Sequence, residues 1–201
     1  MPSMDLFDLI SGVYPHRREA LEPMRVHIEE KRLGKNKLLR RGGTVCKDMY
    51  YIKSGGCYMY VLEGEKELVT QFFFEGELMT DHFSFLTGRP SNQFIRTLED
   101  TRLESLSYDS IQQLYDKIPG MERVGRVLTE RACVRLMASL ASYKNDSAET
   151  RYRKLLQRRP ELSQRAPQYL IASYLGITPV GLSKIRRRLF RSGGEVFVKQ
   201  G

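Results

Sequence analysis

Apolar residues recur along this chain with two different periods, and the switches between them divide it into parts. Near the start Leu6, Phe7, Leu9 and Ile10 have the spacing of a short amphipathic helix, and residues 16–24 suggest a second. From Val26 the texture changes to short runs rich in Tyr, Val, Ile and Phe, broken by turn signals every 8–13 residues. That cadence predicts an antiparallel sandwich or barrel. Gly42-Gly43, Gly55-Gly56 and Leu62-Glu63-Gly64-Glu65 read as its turns. A second β block covers residues 92–108, with a turn near Glu99-Asp100. Between the blocks, residues 74–91 leave a strand, form a short helix around 78–86 and return through Gly88-Arg89-Pro90. The free amides at the start of such a helix can hold an anion.

Helical spacing resumes at Asp109, with a short helix over 109–117 and a longer one opened by Pro119 and running to about Tyr143. Met121, Val124, Leu128 and Ala132 line one of its faces, and Val127, Val134, Met137 and Ala141 a roughly opposite one. A helix apolar on both sides must be covered on both. One side is expected on the β domain and the other against a second copy of the chain; burial between two domains of a monomer is the alternative. Met121, Val124, Val127, Leu128, Val134 and Met137 are the candidate dimerisation residues. Residues 143–148 read as a hinge, and a further domain begins beyond them.

Residues 168–190, QYLIASYLGITPVGLSKIRRRLF, predict two short helices around a tight corner. Ile171, Ala172 and Leu175 make the apolar edge of the first, and Gly176 can take the left-handed conformation that ends a helix. Thr178 offers a capping hydroxyl and Pro179 fits the first helical position. Leu182, Ile185 and Leu189 give the second helix one apolar face, with Val180, Ser183, Lys184 and Arg187 projecting from the other side. This is the helix-turn-helix pattern, whose second helix is free to enter a DNA major groove. An ordinary αα-hairpin shares its outline but not its small and glycine positions.

Charge changes the picture. Residues 144–201 hold 13 Lys and Arg against 4 Asp and Glu, whereas residues 1–143 hold 20 of each. The whole net charge of +9 therefore lies in the segment carrying the hairpin. A basic domain beside a neutral one fits a DNA-binding module joined to something else. Candidate DNA contacts are Gln168, Tyr169, Thr178, Pro179, Val180, Ser183, Lys184, Arg186, Arg187 and Arg188. Lys184 is suited to guanine O6/N7, Val180 to a thymine methyl, and Arg186 and Arg188 to phosphates. Apolar content of 41% with 28% charge predicts a soluble globular protein. No run approaches a membrane span, the N-terminus lacks the basic start of a secretory signal, and a cytoplasmic location is expected. Cys46, Cys57 and Cys133 form no metal or disulfide pattern, and His16, His27 and His82 are scattered; no metal is expected.

A neutral β-roll, a long apolar helix and a basic helix-turn-helix, in that order, resemble the Crp/Fnr family of bacterial transcription regulators. Phe74-Glu75-Gly76-Glu77-Leu78 is similar to the opening of that family's phosphate-binding cassette, and residues 169–189 to its DNA-binding hairpin. The stretch RYRKLLQRRPELSQRAPQYLIASYLGIT looks like members from the Bacteroidetes group. The resemblance implies an α+β fold: an antiparallel, jelly-roll-like β-roll effector domain over 1–118, a dimerisation helix over 119–143 and a winged-helix-like DNA-binding domain over 144–201. It also implies a homodimer on a palindromic DNA operator, a small-molecule effector of unspecified chemistry, RNA polymerase as a further partner, and no enzymatic activity. Gly76, Glu77, Leu78, Arg89 and Ser91 are the effector-site candidates on that basis.

Three departures accompany the likeness. Members that bind cyclic AMP carry an Arg-Ser pair late in the cassette, and here Pro90-Ser91 is the best match. Proline supplies neither the charge nor the planar donor fork of arginine. A cyclic nucleotide is therefore not expected, although Arg89 or Arg96 could stand in. The cysteine cluster of the iron–sulfur branch is missing too, and haem would rest on His82 alone. Finally, Thr178-Pro179-Val180 opens the recognition helix where well-known members place Arg-Glu, so the operator preference should differ. The competing readings are a cupin-like catalyst, which lacks a metal triad, and a cyclic-nucleotide sensor acting mainly through protein partners.

Overall fold

The computed structural model describes residues 4–13 and 15–191. Helix α1 (Leu6–Val13) and a 3₁₀ segment (Pro15–His27) lead into β1 (Glu29–Leu33), β2 (Leu38–Arg40), β3 (Asp48–Ser54), β4 (Gly56–Glu63), β5 (Lys66–Phe74) and β6 (Leu78–Met79). After α2 (His82–Thr87) come β7 (Phe94–Thr97) and β8 (Thr101–Ser107). The rest is helical: α3 (Tyr108–Lys117), α4 (Met121–Asn145), α5 (Ala148–Arg158), α6 (Leu162–Arg165), α7 (Gln168–Tyr174) and α8 (Pro179–Arg191). The described residues fall into two compact units, one of residues up to 61 with 71–134, the other of residues 62–70 with those from 135 onward.

The first unit is a roll of two four-stranded sheets, ordered β1-β8-β3-β6 and β2-β7-β4-β5. Tyr50, Ile52, Met79 and Leu103 from the first sheet meet Cys57, Met59, Phe73 and Ile95 from the second in a shared core. A strand's side chains alternate between faces, so Tyr51 and Leu106 point the other way. There they pack with α1, α3 and the start of α4 through Phe7, Ile10, Ile111, Leu114, Met121 and Val124. Burial also raises the Cys57 thiol to about 12. Gly55 (φ 90°) makes the β3–β4 turn possible, because a Cβ there would lie 2.4 Å from the Asp100 carbonyl oxygen.

Two sequence expectations change here. Met121 and Val124, assigned to the dimer seam, are 3% and 1% exposed and belong to this helix-on-sheet core, with Leu128 packed beside them. The first turns of α4 thus complete the roll, which is why that unit extends past residue 118. The helix expected around 78–86 starts later: Leu78 and Met79 pair with Tyr51 and Tyr50 as β6, and α2 begins at His82.

One buried carboxylate ties the N-terminus to the sheet. Glu104, 5% exposed on β8, accepts from the Leu6 backbone N–H at 2.7 Å and pairs with Lys53 Nζ at 2.8 Å. Its hydrogen bond is the main reason the Lys53 ammonium is held above the ordinary lysine range. Glu104→Ala should therefore cost about 3 kcal/mol, since an amide and a cation lose their partner together. Urea unfolding measures the loss, and cleavage of α1 by dilute protease should accelerate.

Candidate nucleic-acid interface and cassette

The second unit builds its corner from backbone hydrogen bonds that the sequence makes possible. Helix α7 ends with Gly176 at φ 65°. The Ile177 N–H reaches back to the Ala172 carbonyl at 3.0 Å and the Gly176 N–H to Ser173 at 2.9 Å, a Schellman ending. Two residues later Thr178 Oγ1 accepts from the Gly181 N–H at 3.0 Å and caps α8, with Pro179 as its first residue. Ala172 is fully buried, and α7 packs against α8. Leu182, Ile185 and Leu189 are buried with Tyr152, Leu155, Leu162 and Ile171 as the core residues of this unit.

What α8 leaves outside is a line of cations. Thr178, Pro179, Val180, Ser183, Lys184, Arg187 and Arg188 are exposed, Val180 by 65%. At 100° per residue Val180, Lys184, Arg187 and Arg191 fall on one strip opposite the apolar face. Lys184 and Arg187 form no ion pair with a described residue. Arg188 stands at the strip's edge and reaches Glu149 Oε2 at 2.9 Å, an exposed pair worth at most about 1 kcal/mol. Arg186 is half-buried on the side towards Tyr152, so it is less free for a ligand than the sequence suggested. Tyr169 is 57% exposed on α7, and Gln168 is half-buried with its amide nitrogen near the Ser163 carbonyl. Arg191 was missed, although its i+7 spacing from Lys184 was legible. Residues 192–201, where the wing of the expected winged-helix-like domain would follow α8, lie outside the described residues.

Two fastenings position the corner. Arg151 donates to the Leu175 carbonyl at 2.7 Å and the Tyr143 carbonyl at 3.1 Å, and its guanidinium lies 4.8 Å from the centre of the Tyr143 ring. The ends of α4 and α7 are thus held by one side chain. Ser173 Oγ donates to the Glu67 carbonyl at 2.7 Å and accepts from the Val69 N–H at 2.9 Å. One hydroxyl thereby satisfies two backbone groups of β5, an edge strand. Between α4 and α5, Lys154 and Ser142 hold the Asp146 carboxyl below its usual range.

On the bare part of α4, Val134 and Met137 are each 65% exposed, and Leu136 and Leu140 are also uncovered. Val127 is half-buried.

In the first unit, the structure rearranges the expected cassette. Gly76 adopts φ 82° and donates to the Ile52 carbonyl, while Glu77 accepts from the Phe74 N–H at 2.9 Å, closing a turn ahead of β6. The acid at the head of α2 is Asp81, whose carboxylate accepts from the Ser84 N–H at 3.2 Å. Arg40 lies 3.2 Å from the same group, with side-chain exposures of 5% and 4%. Ser91 Oγ also donates to Asp81. Arg40 further donates to the Gln93 carbonyl and, at 2.7 Å, to that of Thr44, which leaves Nε as its one unpartnered nitrogen. Arg89 is exposed, its carbonyl accepting from Ser84 Oγ at 2.6 Å. Arg96 donates to Tyr60 at 2.9 Å, beside the stacked rings of Tyr58, Tyr60 and Phe94. The Glu77 and Arg89 positions are therefore not the cassette's polar centre, and Arg40 and Asp81 went unrecognised because they lie 41 positions apart. Among the described residues no group of three or more His, Cys, Asp and Glu is placed to hold a metal, and no helix is long and apolar enough to cross a membrane.

Residues 30–118 match the family model of the cyclic nucleotide-binding domain. By sequence, no curated protein is significantly similar. By structure, the chain is similar to the c-di-GMP-responsive global regulator CLP of Xanthomonas campestris, with 20% identity and a TM-score of 0.67 over 87% of this chain and 92% of that one. FixK2 of Bradyrhizobium japonicum shares the fold at 15% identity and a TM-score of 0.70, over 83% and 86% of the two chains. So does a putative transcriptional regulator of the Crp/Fnr family from Eubacterium rectale, at 14% identity and a TM-score of 0.67 over 87% and 84%.

The Arg151 fastening has a measurable consequence. Arg151→Met keeps most of the stem but abandons two carbonyls, which should destabilise the helical unit by roughly 1–3 kcal/mol. Amide hydrogen exchange in α7 should accelerate while that of β3 and β8 stays unchanged.

Proposed function

We propose that this chain, Crp/Fnr-type by its fold, is a sequence-specific DNA-binding transcription regulator that acts as a homodimer on a palindromic operator. The observation that carries the reading is the outward strip of Val180, Lys184, Arg187 and Arg191 on α8, facing away from the core of its own unit. A helix that buries one face and leaves a cationic one uncovered has the shape and charge of a major-groove reader. Lys184 offers donors to guanine, Val180 a methyl contact to thymine, and Arg187 and Arg191 charge for phosphates. A sensor acting mainly through protein partners would leave that strip without a ligand. The reading assigns no catalysis and places the protein in the cytoplasm with its DNA; RNA polymerase is the further partner an activator would need.

The dimer follows from α4. With Met121 and Val124 committed to the roll, the remaining seam is Val127, Val134 and Ala141, seven residues apart, with Met137 between them. That repeat suits helix-on-helix packing against a second copy. Two copies would present two recognition helices about one DNA turn, roughly 34 Å, apart. Control is then a population shift in that spacing. The Ser173 clasp on residues 67–69 is the natural route into α7.

Binding to the true operator should weaken steeply with salt, with a slope near −0.9 per neutralised phosphate in log–log form. A flat response would exclude DNA as the ligand. Lys184→Ala should lose about 1–3 kcal/mol on that operator and little on random duplex. An equal loss on both would make Lys184 a phosphate contact. The pair Val134→Glu with Met137→Glu should sediment as a monomer with unchanged circular dichroism; a persistent dimer would move the seam elsewhere.

A further inference from the structure

The fold of residues 30–118 is one that can hold a cyclic nucleotide, and the polar centre of the cassette tests whether this chain does. A phosphate in such a place is gripped by amides at a helix start, a hydroxyl and a guanidinium. All three kinds of donor are present here, and all three already converge on one group. The Ser84 N–H, Ser91 Oγ and Arg40 Nη1 each point at the Asp81 carboxylate, which is 4% exposed. The other terminal nitrogen of Arg40 is committed to the Thr44 carbonyl, and Ser84 Oγ is taken up between the Cys46 N–H and the Arg89 carbonyl. A phosphate entering here would meet a buried carboxylate, and the buried cation beside it, Arg40, is already paired. Two anions sharing one guanidinium in a dry site repel each other strongly.

We propose that Asp81 is a built-in anion: its carboxylate occupies the position of a ligand phosphate, closes β2, α2 and β7 around Arg40, and makes this cassette independent of cyclic nucleotides. Arg40 supplies the positive charge from β2, far in sequence from the place where the arginine was sought. The device also explains why Pro90 is tolerated. The cassette does not need an arginine in the 89–91 segment when its cation arrives from another strand and its anion belongs to the chain.

The inference stands apart from DNA binding, and its test reads ligand binding and stability of the full chain. For the wild type, titration calorimetry with cyclic AMP, cyclic GMP and inorganic phosphate should give no heat, and millimolar amounts should leave Tm unchanged. Asp81→Ala strands the Arg40 charge, and Tm should fall by roughly 10 °C. Formate or inorganic phosphate should then raise the Tm of the variant, in a saturable way, without raising that of the wild type. If Asp81→Ala does not fold, Asp81→Ser keeps a capping oxygen for the Ser84 N–H, removes the charge, leaves room for an added anion and carries the same readout. Micromolar binding of either cyclic nucleotide by the wild type would overturn the proposal. So would a carboxylate variant that keeps wild-type stability, or one that is destabilised and ignores added anions.

Discussion

Strands β3 and β8 are buried on both faces, and the rest of the first unit depends on that constraint. Tyr50 and Ile52 face the other sheet while Tyr51 faces the helices; Leu103 and Leu106 divide the same way. A slip of one residue would exchange the two sets and put Glu104 into the apolar interior between the sheets. Register is therefore set twice over, and so is everything placed relative to it. The turn at Gly55, the entry of α1 through Glu104 and the packing of Met121 all follow from one antiparallel pairing.

Buried charge in this unit obeys a single rule. Both Glu104 and Asp81 are nearly inaccessible, and each is met by a cation and a backbone N–H. An unpaired carboxylate at either place would be costly. The two differ in what they join. Glu104 fastens one terminus to a sheet, whereas Asp81 gathers β2, the α2 start and the approach to β7 around a neutral pair. The second arrangement is the one to which the built-in anion proposed above belongs.

The helical unit is built differently: it leaves one helix half-bare. Helix α8 is steadied from behind by Leu182, Ile185 and Leu189 and capped by Thr178, so its outward residues contribute little to folding. Arg151 and Ser173 fix the corner through backbone groups rather than through the exposed strip. The strip is thus free to be chosen for a ligand. Helix α4 divides in the same way, with its first turns spent on the roll and Val134 and Met137 left exposed.

Local pattern was enough for much of this. The glycine cadence marked the β-roll, the Gly176–Thr178–Pro179 signals marked the corner, and the +9 charge confined to the last 58 residues marked the unit bearing the cationic strip. Each is a property of neighbours in the chain, where spacing and propensity act directly. Three things were settled only by the fold. Met121 and Val124 share the apolar period of the seam but meet the roll, because amphipathicity states that a face is covered and not by what. Glu77 looked like the cassette acid until β6 claimed Leu78 and Met79 and moved the helix start to Asp81. Arg40 and Asp81 form a pair that no spacing rule reaches, since it exists only where two distant segments are brought together and the water between them is removed.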